Sequence, residues 1–112
     1  MHEHGLADYV LDALLLHRDR VGAQRVLSAT LQVSELGGVS RAAFQAALDH
    51  CCEHHQLEPI QLTLETPGII AHCSHCDRLV PLTPEVRCAD CGSADIRLCG
   101  DEAIIIKNCE CV

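Results

Sequence analysis

The 112 residues leave room for one ordinary domain, or for a small domain carrying a smaller appendage. Hydrophobic residues make up 48% and aromatic residues only 2%, so any core is built from Leu, Val, Ile and Ala, and no apolar run approaches the roughly 18–20 residues of a membrane span. Sixteen acidic residues stand against eight basic ones, for a formal charge of −8, which argues against a nucleic-acid partner, whose phosphates need a basic patch.

Taken in order, the chain begins Met1-His2-Glu3-His4, without the basic start and apolar stretch of a secretory signal. A cytoplasmic protein is expected, in which thiols stay reduced, and its nine cysteines read as metal ligands and buried thiols rather than a disulfide scaffold. Residues 6–20 predict a helix: Leu6, Val10, Ala13, Leu14 and His17 recur at helical spacing, and Gly5 serves as an acceptable N-cap. Residues 25–34 alternate, with Leu27, Ala29, Leu31 and Val33 on one face, and predict a half-buried strand. Leu36-Gly37-Gly38 reads as a turn. Ser40 is a good N-cap for a second helix over about 41–55, with Phe44, Ala47, Leu48 and Cys51 inward and Glu58-Pro59 as its stop. Ile60, Leu62 and Leu64 alternate in a second strand. Residues 102–111 predict a third; Ile104-Ile105-Ile106 is apolar on both faces, so this strand is expected to be the most buried of the three or to hold a bulge.

Between the second and third strands stand Cys73-Ser-His-Cys76 and Cys88-Ala-Asp-Cys91-Gly92. Two C-x-x-C pairs on tight turns place four thiolates around one ion, the arrangement of a structural tetrahedral zinc site. Gly92 suits a turn in which backbone amides face sulfur. The segment 70–99 holds too few large apolar residues to fold without the metal, whose apparent binding energy of roughly 10–16 kcal/mol then becomes folding energy. The expected fold class is α+β: two helices on a three-stranded sheet, residues 1–69 plus 100–112, with an inserted zinc ribbon at 70–99. The ribbon alone leaves open a protein- or nucleic-acid-interaction module and an iron-binding redox protein. Acidic charge and the absence of aromatic platforms argue against the nucleic-acid reading, and the lack of aromatic shielding argues against iron. No catalytic array is visible.

The N-terminus offers a second site. A bulky His2 disfavours removal of Met1, and the terminal amine, the His2 backbone nitrogen and the His2 imidazole can close fused chelate rings on one cation. A deprotonated amide favours planar nickel(II) or copper(II) over zinc. Glu3, through its backbone nitrogen or carboxylate, or a distant histidine, can supply the fourth donor. The alternative is a disordered N-terminal histidine with no ligand.

Met-His-Glu at the start, Leu31-x-Val33-x-Glu35-x-Gly37, the two C-x-x-C pairs and Cys91-Gly92-Ser93 together resemble the hydrogenase nickel-incorporation accessory proteins, the HypA/HybF family, over nearly the whole chain. The resemblance implies that His2 and Glu3, with the Met1 amine, bind nickel and that Cys73, Cys76, Cys88 and Cys91 hold a structural zinc. It further implies a non-enzymatic metallochaperone that delivers nickel to nickel–iron hydrogenase, and in some members to urease. The implied partners are a GTPase nickel metallochaperone and the hydrogenase large-subunit precursor. The chain departs from the family at His4-Gly5 and at Cys109-Glu110-Cys111, where the family has aliphatic residues on either side of Glu. Cys109 and Cys111 share a strand face and read as core replacements, with a chelating C-x-C as the alternative. His72 and His75 read as exposed turn residues or as groups that respond to pH near the metal. His50, Cys51, Cys52, His54 and His55 form a second cluster, either a metal site or histidines favoured by a helix C-terminus. Cys99 is a buried or free thiol.

Overall fold

The fold is described from a computed structural model, which covers residues 3–35, 40–98 and 104–112, with residues 3 and 4 described by their backbone alone. Helix α1 spans Glu3–Arg20, strand β1 Val26–Val33, helix α2 Arg41–His54 and strand β2 Gln61–Glu65. Strands β3 (Ile70–Cys73), β4 (Arg78–Pro81) and β5 (Ile96–Leu98) follow, and β6 (Ile104–Cys111) closes the chain. Two three-stranded sheets result, ordered β2-β1-β6 and β4-β3-β5. The chain is therefore α+β, and the last strand joins the sheet of the first two. The segment expected to be held by metal alone carries a sheet of its own, which the sequence reading did not foresee. The predicted turn at 36–38, Cys99 and residues 102 and 103 of the predicted third strand lie outside the described residues.

The chain divides into two compact units. One comprises Met1–Leu31, Val39–Leu64 and Ile106–Val112; the other comprises Gln32–Gly38 and Glu65–Ile105. In the first unit, α1 buries Leu6, Ala7, Val10, Leu11 and Leu14, and α2 buries Phe44, Ala47, Leu48, Cys51 and Cys52. These stripes recur at three- and four-residue spacing, so each helix turns one face inward, and the two helices pack against each other. The Cys51 thiol donates to Asp8 Oδ1 at 3.0 Å, which joins the helices through a polar contact. Ser40 is the N-cap of α2: its hydroxyl accepts from the Ala43 amide at 3.3 Å. Gly5 lies inside α1, two residues past its first residue, and is no cap.

Both helices end in a left-handed residue with the paired amide bonds of a Schellman motif. After α1, Gly22 has φ +71°; its amide donates to Asp19 O and that of Ala23 to Arg18 O. After α2, the left-handed residue is Gln56, with φ 59°; its amide donates to Glu53 O and that of Leu57 to Cys52 O. This motif, rather than Glu58-Pro59, stops the helix. At Gln56 a β-carbon sits where glycine is favoured, at a cost of about 1–2 kcal/mol.

β1 is central in its sheet, and Ala29, Leu31 and Val33 are buried in strict alternation. Leu27, expected on that face, is half-buried, and Val26 is buried instead. Before the strand, the amides of Gln24 and Arg25 both donate to Val112 O, at 2.6 and 3.1 Å, and the Val112 amide returns to Arg25 O. Two amides on one carbonyl are the mark of a β-bulge, and here it ties the C-terminus to the start of β1. On the opposite edge, Gln45 of α2 reaches β2: its amide nitrogen donates to Ile60 O at 3.0 Å and its oxygen accepts from the Leu62 amide at 3.1 Å. A side chain thus occupies backbone groups that an edge strand otherwise leaves open.

The expectation that the last strand is the most buried does not hold. β6 lies at a sheet edge, Ile104 is its single buried residue, and Ile106 is 37% exposed. An edge position removes one neighbouring strand, so apolar character on both faces does not translate into burial.

The second unit has a small core. Cys73, Val80 and Cys88 are buried together, with Cys76, Leu82 and Ile96 packed around them. β3 pairs antiparallel with both neighbours, Ala71 standing opposite Val80 on one side and Leu98 on the other. The buried Ser34 hydroxyl accepts from the Ile70 amide at 3.1 Å and so fixes the start of β3.

Candidate metal centre

The four cysteines of the C-x-x-C pairs come together in the second unit. Cys73 ends β3 and Cys76 lies in the turn to β4; Cys88 and Cys91 lie in a matching turn before β5. Their sulfurs all lie within 4.8 Å of one another, with Cys73 to Cys91 at 3.6 Å and Cys76 to Cys88 at 3.9 Å. Four sulfurs about 2.3 Å from one tetrahedral ion stand about 3.8 Å apart, so the cluster has the dimensions of a four-thiolate metal centre.

The two turns share one design. In the first, the Cys76 amide points at Cys73 Sγ, 3.4 Å away, and the Asp77 amide donates to Cys73 O. In the second, the amides of Asp90 and Cys91 point at Cys88 Sγ, at 3.3 and 3.4 Å, and the Gly92 amide donates to Cys88 O. Each turn closes on a left-handed residue four positions after its first cysteine: Gly92 at φ 77° and Asp77 at φ 54°. Glycine takes that conformation freely, and aspartate is among the side chains that tolerate it. Arg78 and Asp90 join the two turns by an ion pair of 2.7 Å, exposed enough to add little stability.

Amides aimed at sulfur change its acidity. Burial works to raise the Cys88 thiol, but the amides of Cys91 and Asp90 overcome it and bring the group down to about 7. Cys76 is pushed up to about 12, by its hydrogen bond to the Cys91 sulfur and then by burial. One sulfur is thus poised as an anion while its neighbour keeps its proton, and a cation that balances the negative charge permits the others to ionise. Metal therefore competes with protons for the cluster.

His72 and His75 are not among the clustered groups. His72 precedes Cys73 on β3; its Nε2 lies 3.2 Å from Asp77 Oδ1, and its Nδ1 is buried without a hydrogen-bond partner. His75 is exposed in the turn. The cluster expected at the end of α2 is split by the helix: Cys51 and Cys52 are buried and His50, His54 and His55 are exposed. Burial pushes the Cys51 thiol up to about 11, aided by its bond to Asp8, and also raises Cys52, so both remain neutral core groups. Met1 and His2 lie outside the described residues, as do the side chains of Glu3 and His4; Glu3 is the first residue of α1.

A second cluster escaped the sequence reading. His17, Cys109 and Cys111, all in the first unit, place one donor atom each within 4.8 Å of the others. The expectation that both cysteines replace aliphatics in the core is not met: each is half-buried, and their sulfurs lie side by side, 3.7 Å apart. Burial, and then the hydrogen bond with Cys111, raises the Cys109 thiol to about 11. The available signals were the C-x-C spacing on a strand and His17 at the end of the apolar stripe of α1, but nothing in the sequence joins the two.

The family described as "Hydrogenase/urease nickel incorporation, metallochaperone, hypA" matches residues 1–111. Hydrogenase maturation factor HypA of Polaromonas naphthalenivorans is 33% identical over 109 residues, covering 96% of this chain and 95% of the relative. Hydrogenase maturation factor HybF of Proteus vulgaris is 29% identical over 111 residues, covering 98% of each. The solution structure of the nickel metallochaperone HypA from Helicobacter pylori shares the fold, with a TM-score of 0.68 at 14% identity, covering all of this chain and 98% of the other. With the match running from the N-terminal Met-His-Glu through both cysteine pairs to the last strand, the chain belongs to the HypA family of hydrogenase and urease nickel-incorporation metallochaperones.

Proposed function

We propose that this nickel metallochaperone for hydrogenase maturation holds one nickel(II) ion at its N-terminus and gives it up by ligand exchange, without turnover. The terminal amine of Met1, the backbone and imidazole nitrogens of His2, and a donor from Glu3 form the site. The observation that carries this reading is the family match that begins at residue 1 and so takes in Met1-His2-Glu3. A zinc ion held by Cys73, Cys76, Cys88 and Cys91 is structural, and it makes the segment 70–99 an inserted ribbon whose folding depends on metal. The sulfur spacing and the sulfur-directed amides support that assignment.

Delivery requires a GTPase nickel metallochaperone and the hydrogenase large-subunit precursor as protein partners, in the cytoplasm; urease is a further recipient in this family. No described helix is long and apolar enough to cross a membrane. A ribbon acting only as an interaction module is the weaker reading: the charge of −8 does not suit nucleic acid, and the family match places nickel ahead of it.

Calorimetric nickel titration with X-ray absorption tests the site. Untagged protein is expected to bind one nickel in planar geometry. His2→Ala is expected to abolish tight binding while zinc stays, an N-terminal extension to weaken nickel without touching the fold, and His4→Ala to have a smaller effect. Because the amine and imidazole must lose protons, affinity is expected to fall as pH drops through about 8 to 6. Equal nickel affinity in wild type and His2→Ala moves the site elsewhere.

A further inference from the structure

The first unit carries three metal-ligating side chains that neither the nickel site nor the four-cysteine site uses. His17 projects from the last turn of α1; Cys109 and Cys111 stand on one face of β6. All three backbones are fixed. The His17 carbonyl accepts from the Val21 amide beside the Schellman motif, and β6 is followed at once by Val112, hydrogen-bonded in both directions to Arg25. Donors on regular, anchored elements hold their geometry better than donors on loops.

From this geometry we propose that His17, Cys109 and Cys111 form a second tetrahedral site for a thiophilic cation, zinc(II) by preference, with its fourth position open to water. Metal–sulfur bonds of about 2.3 Å across a sulfur separation of 3.7 Å subtend about 107°. That is a tetrahedral angle; a planar metal with adjacent thiolates needs sulfurs only about 3.3 Å apart. The sulfur spacing thus suits a tetrahedral cation, and the thiolate pair selects a thiophilic one. Two thiolates and one imidazole complete three of four zinc positions, and a three-ligand zinc site keeps its fourth position for an exchangeable group. Access is available: His17 is exposed, both cysteines are half-buried, and His17 and Cys109 line an open pocket with Ala13, Leu14, Ile106, Lys107 and Asn108. The C-terminal end of α1 adds the negative end of its dipole on the side of the cation. Loading forms two metal–sulfur bonds and one metal–nitrogen bond, and the two thiol protons leave to solvent.

Cobalt(II) is the probe, because its charge-transfer absorption reports thiolate ligands, and the N-terminal nickel site contains none. Full-length, reduced protein with zinc in the four-cysteine site is titrated with cobalt(II). Wild type is expected to gain one equivalent of tetrahedral cobalt with the absorption of two thiolates. Cys109→Val/Cys111→Val is expected to lose that band entirely while keeping its zinc. His17→Gln, at an exposed side chain, is expected to keep the band, shift its ligand-field region and weaken binding by more than roughly tenfold, since even partners outside a coordination sphere contribute that much. Absence of the band in wild type, or its persistence in the double variant, overturns the proposal. Should the double variant fail to fold, His17→Gln decides: an unchanged spectrum and affinity overturn the three-ligand site.

Discussion

The two units bury different chemistry. The first closes around Leu11, Leu14, Leu31, Leu48, Leu62 and Phe44, all fully buried, and its cysteines Cys51 and Cys52 act there as neutral apolar groups. The second gathers Cys73, Val80 and Cys88 around a handful of partly buried neighbours, so half of its packed residues are candidate metal ligands. The same residue type is filler in one unit and frame in the other. The difference lies in what faces the sulfur. In the first unit it is a carboxylate and apolar side chains, which hold the proton on; in the second it is backbone amides, which stabilise the anion.

Metal removal gives the largest expected break between the units. Chelation, or Cys73→Ala, is expected to withdraw on the order of 10 kcal/mol of apparent binding energy from the second unit. Hydrogen exchange read by mass spectrometry should then show protection lost in β3, β4 and β5 and kept in α1 and α2. Loss in both units together contradicts two separate sources of stability.

The converse change is Phe44→Ala. Phe44 is fully buried, so the change leaves a cavity and is expected to cost about 3–5 kcal/mol, seen as a lower denaturation midpoint, with bound zinc unchanged. Zinc lost in proportion to stability argues against independent cores.

Alkaline pH sharpens the contrast between the thiols. Cys51 and Cys109 have folded values near 11, above the ordinary 9.0. Protonated thiols are therefore favoured by folding. Their stabilisation is complete below about pH 9 and is lost as pH rises towards 11 and beyond. The first unit, followed by helical circular dichroism, is expected to weaken across that window, and Cys51→Ala to flatten the slope. An unchanged slope in that variant removes Cys51 as the cause.

The smallest effect concerns backbone strain. The two helices of the first unit end alike, one on glycine and one on glutamine. Gln56→Gly is expected to stabilise by about 0.5–1 kcal/mol, as relief of left-handed strain outweighs the added freedom of the unfolded chain. Gly22→Ala is expected to destabilise by a similar amount. Thermal denaturation of both variants is sufficient, and a destabilised Gln56→Gly refutes the strain.

Much of this protein was legible in local spacing. Each C-x-x-C pair brings two sulfurs to one side of its turn because that turn is short enough to be set by its own residues. Ser40 marks the start of α2 because a cap is a bond between neighbours in sequence. The alternation of Ala29, Leu31 and Val33 fixes the buried face of β1 because strand period is a property of the backbone. Other features depended on partners distant in the chain. That β6 sits at an edge, leaving Ile106 exposed, follows from sheet order, which apolar content does not encode. Cys109 and Cys111 could be paired with each other from sequence, but His17 meets them only because α1 and β6 fold into one unit. Ligand spacing within a turn is local chemistry; a site shared between the last turn of the first helix and the last strand exists only once the tertiary structure has formed.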